Sequence, residues 1–270
     1  MLNLVLAFAA SLILPHVGIL VSLLPLDTAL PASPSSSHSP GDPLATPRTT
    51  TGAMSSSIRL AAPLVFPAAS RHTATVIFVH GLGDSGAGWA DAVLQWQARH
   101  RLDEIKFVLP NAPVIPITML VQNRGFQMPG WFDIKSLGPT TNPLELRPQD
   151  EDTPGVLQSR AYLYSLIQDE ISAGIPADRI VLGGFSQGGA MSIFAGLTAP
   201  FKIAGIVGLS SWLLLNKTFK EHVPEGDVNK ATPILMGHGD RDPLVGYELA
   251  QASEKALKNM GYNVTMKTYR

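Results

Sequence analysis

Ile180-Val181-Leu182-Gly183-Gly184-Phe185-Ser186-Gln187-Gly188-Gly189-Ala190 decides how this chain reads. An apolar run enters a serine framed by glycines, and small and apolar residues at helical spacing follow. The pattern G-x-S-x-G between a strand and a helix is a nucleophile elbow. Glycines flank the serine because the turn is too tight for side chains, and the strain lifts the hydroxyl above the sheet. Alone, the motif is a weak signal; its place between a strand and a helix is what raises it. A phosphate loop is the competing reading, but no lysine follows as that loop requires.

A serine nucleophile needs a base, and the base needs an orienting acid. On this architecture the chain order is serine, then an acid, then histidine. Pro233–Val245 supplies the acid: a short apolar strand runs into a polar loop with Asp240 and Asp242. No histidine follows Asp242 in the 270 residues. His238 lies four residues before Asp242 at a strand's carboxyl end and is the substitute to test. His80 borders a loop and reads as its support, while His72, His100 and His222 read as loop or surface residues.

Strands and helices alternate outward from the elbow. Apolar, β-branched runs over 75–79, 105–109, 180–184, 203–209, 233–237 and 264–269 predict strands; helical spacing marks 89–98, 156–173, 188–198 and 246–260. Residues 111–155, rich in Pro and Gly, read as a long functional loop region. Alternation of this kind predicts a mostly parallel sheet with helices on both faces. After the strand at 75–79, His80-Gly81-Leu82-Gly83-Asp84 forms a loop. A tetrahedral intermediate needs donors aimed at its oxyanion, and here those are the N–H after the nucleophile and one from this early loop. They are Gln187 and Leu82. Asp84 and Asp133 read as loop-capping residues. Trp131-Phe132 and Trp212-Leu213-Leu214-Leu215 are apolar clusters on the elbow side of the sheet, suited to an acyl chain.

Composition sets the outer bounds. At 270 residues and 45% hydrophobic, the chain can bury one sizeable core. A formal charge of -1 gives no reason to expect nucleic acid. No cysteine is present, no H-x-x-x-H cluster occurs and no nucleotide loop appears, so no metal or cofactor is expected. Residues 1–57 differ from the rest: Met1–Leu26 is almost wholly apolar, and Pro31–Thr51 is rich in Ser, Pro and Thr. They read as an extension outside the fold, with the domain over 58–270. A signal peptide or membrane anchor is the alternative, although no Lys or Arg precedes the apolar run and no clean cleavage site follows.

HGLGD (80–84), PNAP (110–113), MPGWFDI (128–134), GIPADRIVLGGFSQGGA (174–190) and HGDRDPLV (238–245) together resemble the acyl-protein thioesterases of the acyl-protein thioesterase/lysophospholipase group. The likeness runs from about Ile58 to Arg270. It implies an α/β-hydrolase fold and hydrolysis of long-chain acyl thioesters on S-acylated protein cysteines, with some lysophospholipase and esterase activity. It also implies Ser186 as nucleophile, Asp242 rather than Asp240 as triad acid, and Leu82 and Gln187 at the oxyanion. Trp131, Phe132 and Trp212 become the substrate-binding residues. The partners implied are acylated proteins and lipid acyl chains, with weak membrane association compatible and oligomeric state open. The compartment implied is the cytoplasm, with the nucleus as a further one and the secretory pathway or a membrane as the alternative if residues 1–26 are recognised.

Three departures stand out. The family's triad histidine and closing helix follow a segment like Lys267-Thr268-Tyr269, so both are expected past Arg270, leaving the fold without its final helix. Leu120-Val121-Gln122 is an insertion relative to the pattern, and residues 1–53 have no counterpart.

Overall fold

A computed structural model describes residues 60–100, 102–118, 127–135 and 151–270. The extension at 1–57 and the insertion at 120–122 lie outside these residues. Seven strands form one sheet: β1 (Leu64–Phe66), β2 (Ala74–Val79), β3 (Ile105–Leu109), β6 (Ile180–Phe185), β7 (Gly205–Leu209), β8 (Ile234–Gly239) and β9 (Val264–Tyr269). Their order is β1-β3-β2-β6-β7-β8-β9. Only β1 runs antiparallel to its neighbour; every other pairing is parallel. Two further strands, β4 (Val114–Pro116) and β5 (Gln127–Pro129), make a separate antiparallel ribbon inside the stretch that the sequence marks as loop. Each is three residues long and holds a proline, so neither shows the alternating run that signals a strand.

Alternation along the central strands feeds two apolar layers. Ile77, Val79, Leu182, Ile206 and Met236 face helices α2 (Thr153–Ser172) and α3 (Gln187–Leu197), meeting Leu163, Ile167 and Phe194. Leu257 of α4 (Tyr247–Asn259) joins the same layer. On the opposite face Val76, Phe78, Phe107, Val181 and Val207 meet Ala92, Val93 and Trp96 of α1 (Ala90–Gln97). Helices thus cover both faces, and central strands buried on two sides read as unbroken apolar runs rather than alternating ones. Every residue of α3 is buried, which accounts for a helix apolar all the way round.

Helix α2 starts three residues before its apolar periodicity does. Asp152 caps it by accepting the Gly155 N–H at 3.1 Å, and Pro154 sits in the first turn, where its missing N–H costs nothing. Its last turn carries Glu170 into the sheet's other end. This carboxylate is 4% exposed, accepts the Thr75 hydroxyl at 2.7 Å and pairs with Lys106 Nζ at 2.5 Å. Removing one partner of such a pair strands a buried charge. Lys106→Met is therefore expected to lose about 3 kcal/mol in urea unfolding. Adding Glu170→Gln, which removes the charge and keeps a bond to Thr75, is expected to recover most of it.

Candidate active site

Parallel strands bring loops from distant parts of the sequence to one edge, the carboxyl end of the sheet. Register aligns Val79 with Gly184, Phe185 with Leu209, and Leu209 with Gly237. The segments 80–84, 186–187, 210–212 and 238–242 consequently emerge side by side.

Ser186 sits between β6 and α3 with φ 52° and ψ -122°, a left-handed conformation that costs a non-glycine residue about 1–3 kcal/mol. The surroundings hold it there. Its N–H donates to Leu209 O at 2.8 Å, and its carbonyl accepts the Ala190 N–H at 3.0 Å. The flanking glycines permit the close approach: a Cβ on Gly184 would meet the Gly188 carbonyl at 2.5 Å, and one on Gly188 would meet Val79 O at 2.2 Å. The hydroxyl makes no capping bond to α3, and the residue is half-buried.

Two backbone N–H groups belong to segments that touch this serine. Gln187 opens α3, so its N–H has no partner within the helix and lies at the positive end of the helix dipole. Leu82 belongs to the loop after β2, which touches the elbow: a Cβ on Gly81 would lie 3.4 Å from Ser186 Cβ. Among the described residues neither N–H finds a backbone acceptor. The loop is held from three sides. Gly83 N–H donates to Pro129 O at 2.8 Å, the Trp131 indole N–H donates to His80 O at 2.8 Å, and His80 Nδ1 donates to Gly81 O at 2.7 Å.

Gln187 also works through its side chain, for which the sequence holds no local signal. Its Oε1 accepts the Trp131 N–H at 2.9 Å and its Nε2 donates to Phe132 O at 2.6 Å. Ser159 of α2 donates to Trp131 O. These bonds join residues 28 to 56 positions apart, so no spacing rule could have found them.

Trp131, Phe132 and Trp212 are all within the layer beneath α2 and α3, at 1%, 5% and 2% exposure. Phe132 and Trp212 meet edge to face, 6.4 Å apart. Trp131 stacks on Tyr162 at 6.3 Å. Trp131 and Phe132 line a cavity of about 360 Å³ together with Pro113, Ile115, Pro154 and Tyr162; Trp212 packs behind Phe132 and does not line it. Asp84 accepts the Ser85 N–H, and Asp133 accepts both the N–H and hydroxyl of Thr118, so both hold loops.

Asp242 Oδ1 accepts the N–H groups of Leu244 and Val245, both at 3.0 Å, which fixes the turn after β8. Asp240 Oδ2 lies 3.9 Å from Arg270 Nε, at the chain's exposed edge. His238 is 2% exposed; its Nε2 donates to Val245 O at 2.7 Å and stands 3.7 Å from Asp242 Oδ2. None of the five described histidines hydrogen-bonds Ser186. His72 is bonded to Thr75, His80 to Gly81 and Ala112, His100 stands beside Asp103, His222 lies against Phe194, and His238 is spent on Val245. Among the described residues no group of carboxylates and histidines could hold a metal, and no helix is long and apolar enough to cross a membrane.

Residues 60–270 match the phospholipase/carboxylesterase family. Acyl-protein thioesterase 1 of Neurospora crassa is 58% identical over 207 residues, 77% of this chain and 82% of that protein. The protein of the same name from Gibberella zeae is 58% identical over 208 residues, 77% of this chain and 86% of its own length. Among solved structures, acyl-protein thioesterase 2 of Zea mays superposes with a TM-score of 0.63 at 30% identity, covering 77% of this chain and 89% of that one.

Proposed function

Because the chain belongs to the phospholipase/carboxylesterase family, within its acyl-protein thioesterase branch, and is a hydrolase, we propose that Ser186 attacks long-chain acyl thioesters on protein cysteines. The observation that carries this reading is the strained elbow itself, a half-buried serine at φ 52° with an unpaired helix N–H beside it and the Gly81–Leu82 loop in contact. Attack places a negative oxygen where the Gln187 and Leu82 N–H groups converge, and their donation lowers the barrier. The acyl-enzyme at Ser186 is then hydrolysed, which releases the fatty acid after the cysteine thiol has left. Oxygen esters, including lysophospholipids, fit the same two steps.

Asp242 is the proposed triad acid, since its Oδ2 stays clear of the two N–H groups that occupy Oδ1. We assign none of the five described histidines as the base, since each is engaged elsewhere. Losing one triad member costs about 10⁴-fold or more in turnover. Residues 1–270 alone are accordingly expected to hydrolyse an octanoyl thioester with little dependence on Ser186. Ser186-dependent turnover near ordinary enzyme rates in that chain would overturn the assignment and turn attention to His238.

The acyl chain is proposed to lie against Trp131 and Phe132, with Trp212 backing Phe132 from within the core. Trp212→Leu takes away that backing while keeping the layer apolar. It is expected to lower kcat/KM for a palmitoyl thioester about 10-fold more than for an acetyl ester, in line with what a few lost apolar contacts contribute. Equal losses on both substrates would make Trp212 a packing residue only.

A further inference from the structure

Resting on the reading of Leu82 as an oxyanion donor, we propose that His80 is a positioning residue that aims the Leu82 N–H at the oxyanion by gripping the Gly81 carbonyl. His80 is fully buried and has two hydrogen bonds. Its Nδ1 lies 2.7 Å from Gly81 O, an acceptor only, so Nδ1 carries the proton. Its Nε2 lies 3.1 Å from the Ala112 N–H, a donor only, so Nε2 is bare. The two partners together fix one neutral tautomer. Burial presses the same way, holding the imidazole below its ordinary pKa.

The consequence follows from peptide geometry. The Gly81–Leu82 bond is trans and planar, so its carbonyl and its N–H point in opposite directions. Gly81 O turned toward the His80 ring leaves the Leu82 N–H turned away from it. A second bond, from Asp84 N–H to Gly81 O at 3.3 Å, holds the same carbonyl from the loop's far side. Gly81 lies against Ser186 and Phe185, so the peptide that carries the Leu82 N–H runs beside the elbow. The imidazole is itself braced. Ala112 N–H fixes its outer nitrogen, the Trp131 ring packs 5.1 Å from it, and the Trp131 indole N–H holds the His80 carbonyl. Trp131 is in turn tied to the Gln187 side chain, so both proposed oxyanion donors hang on one connected set of bonds.

The tests use the full-length protein with an octanoyl thioester. Nitrogen-15 correlation spectra are expected to show His80 as the neutral Nδ1–H tautomer; the reverse tautomer would overturn the proposal. Two substitutions then separate the bonds. His80→Asn puts an amide N–H near the Nδ1 position and keeps a donor for Gly81 O, while His80→Gln reaches only the Ala112 side. Misdirecting one oxyanion donor costs about 10²-fold in kcat. His80→Gln is expected to show that loss with KM within about twofold, and His80→Asn to stay within about 10-fold of the parent. Equal kcat in the two variants, or losses that only follow the thermal midpoint, would reduce His80 to a core residue and overturn the proposal. Should His80→Gln not fold, the tautomer decides alone. Parental turnover by Ser186→Ala would bring down the nucleophile reading instead, and the spectra would still report the grip on Gly81.

Discussion

Ser186→Ala is expected to abolish thioester hydrolysis in the full-length protein, by about 10⁴-fold or more, with stability unchanged or slightly raised. The size of the effect follows from the mechanism: without the hydroxyl no acyl-enzyme forms, and what remains is direct attack by water aided by two backbone donors. The direction of the stability change follows from the elbow. Alanine is no more comfortable at φ 52° than serine, and the serine hydroxyl makes no bond to α3 whose loss would be felt. Urea midpoints beside initial rates check both halves. A rate loss below 10-fold would place the nucleophile elsewhere.

Gly188→Ala is the second large effect, and it acts on the fold. The new methyl would sit 2.2 Å from Val79 O and 2.3 Å from His80 O, both backbone atoms at the end of a central strand. Neither can retreat: Val79 pairs with Gly184 in the sheet, and His80 O receives the Trp131 indole. Helix α3 must therefore shift as a body, with an overpacking cost of about 3 kcal/mol. The shift also carries the Gln187 N–H away from the elbow, so turnover should fall in the population that still folds. An alanine variant within about 0.5 kcal/mol of the parent would mean that the close approach of α3 to β2 is not what the geometry indicates.

Much of the fold could be read along the chain because its central strands are buried on both faces. Ile180–Phe185 and residues 234–237 show as continuous apolar runs, and Gly174 and Gly261, both at positive φ, mark where helices stop. The short elements escaped. Strands β1, β4 and β5 have three residues each, too few for any periodicity, and their pairing is decided by partners elsewhere. The start of α2 is hidden for a related reason: its apolar face begins at Val156, but its cap is Asp152.

At the site the legible part is the part with local geometry. Gly184, Ser186 and Gly188 announce the elbow because the turn itself dictates small residues at that spacing. What ties the elbow to its surroundings has no such imprint. The Gln187 side chain spans 56 positions to Trp131, His80 spans 32 to Ala112, and Ser159 reaches back 28 to the Trp131 carbonyl. The aromatic residues show the limit most clearly. Composition marks Trp131, Phe132 and Trp212 as apolar, and only the packing reveals that Trp131 is also a hydrogen-bonding strut between the loop after β2 and α3.

In the proposed mechanism an acyl group passes through Ser186, and that step can be caught directly. The full-length protein is mixed briefly with an octanoyl thioester, quenched in acid, digested and mapped by mass spectrometry. The expected result is an octanoyl adduct on the peptide carrying Ser186, absent from Ser186→Ala and lost on longer incubation as water completes the cycle. An adduct on any other residue, or thiol release with no adduct and no dependence on Ser186, would contradict it.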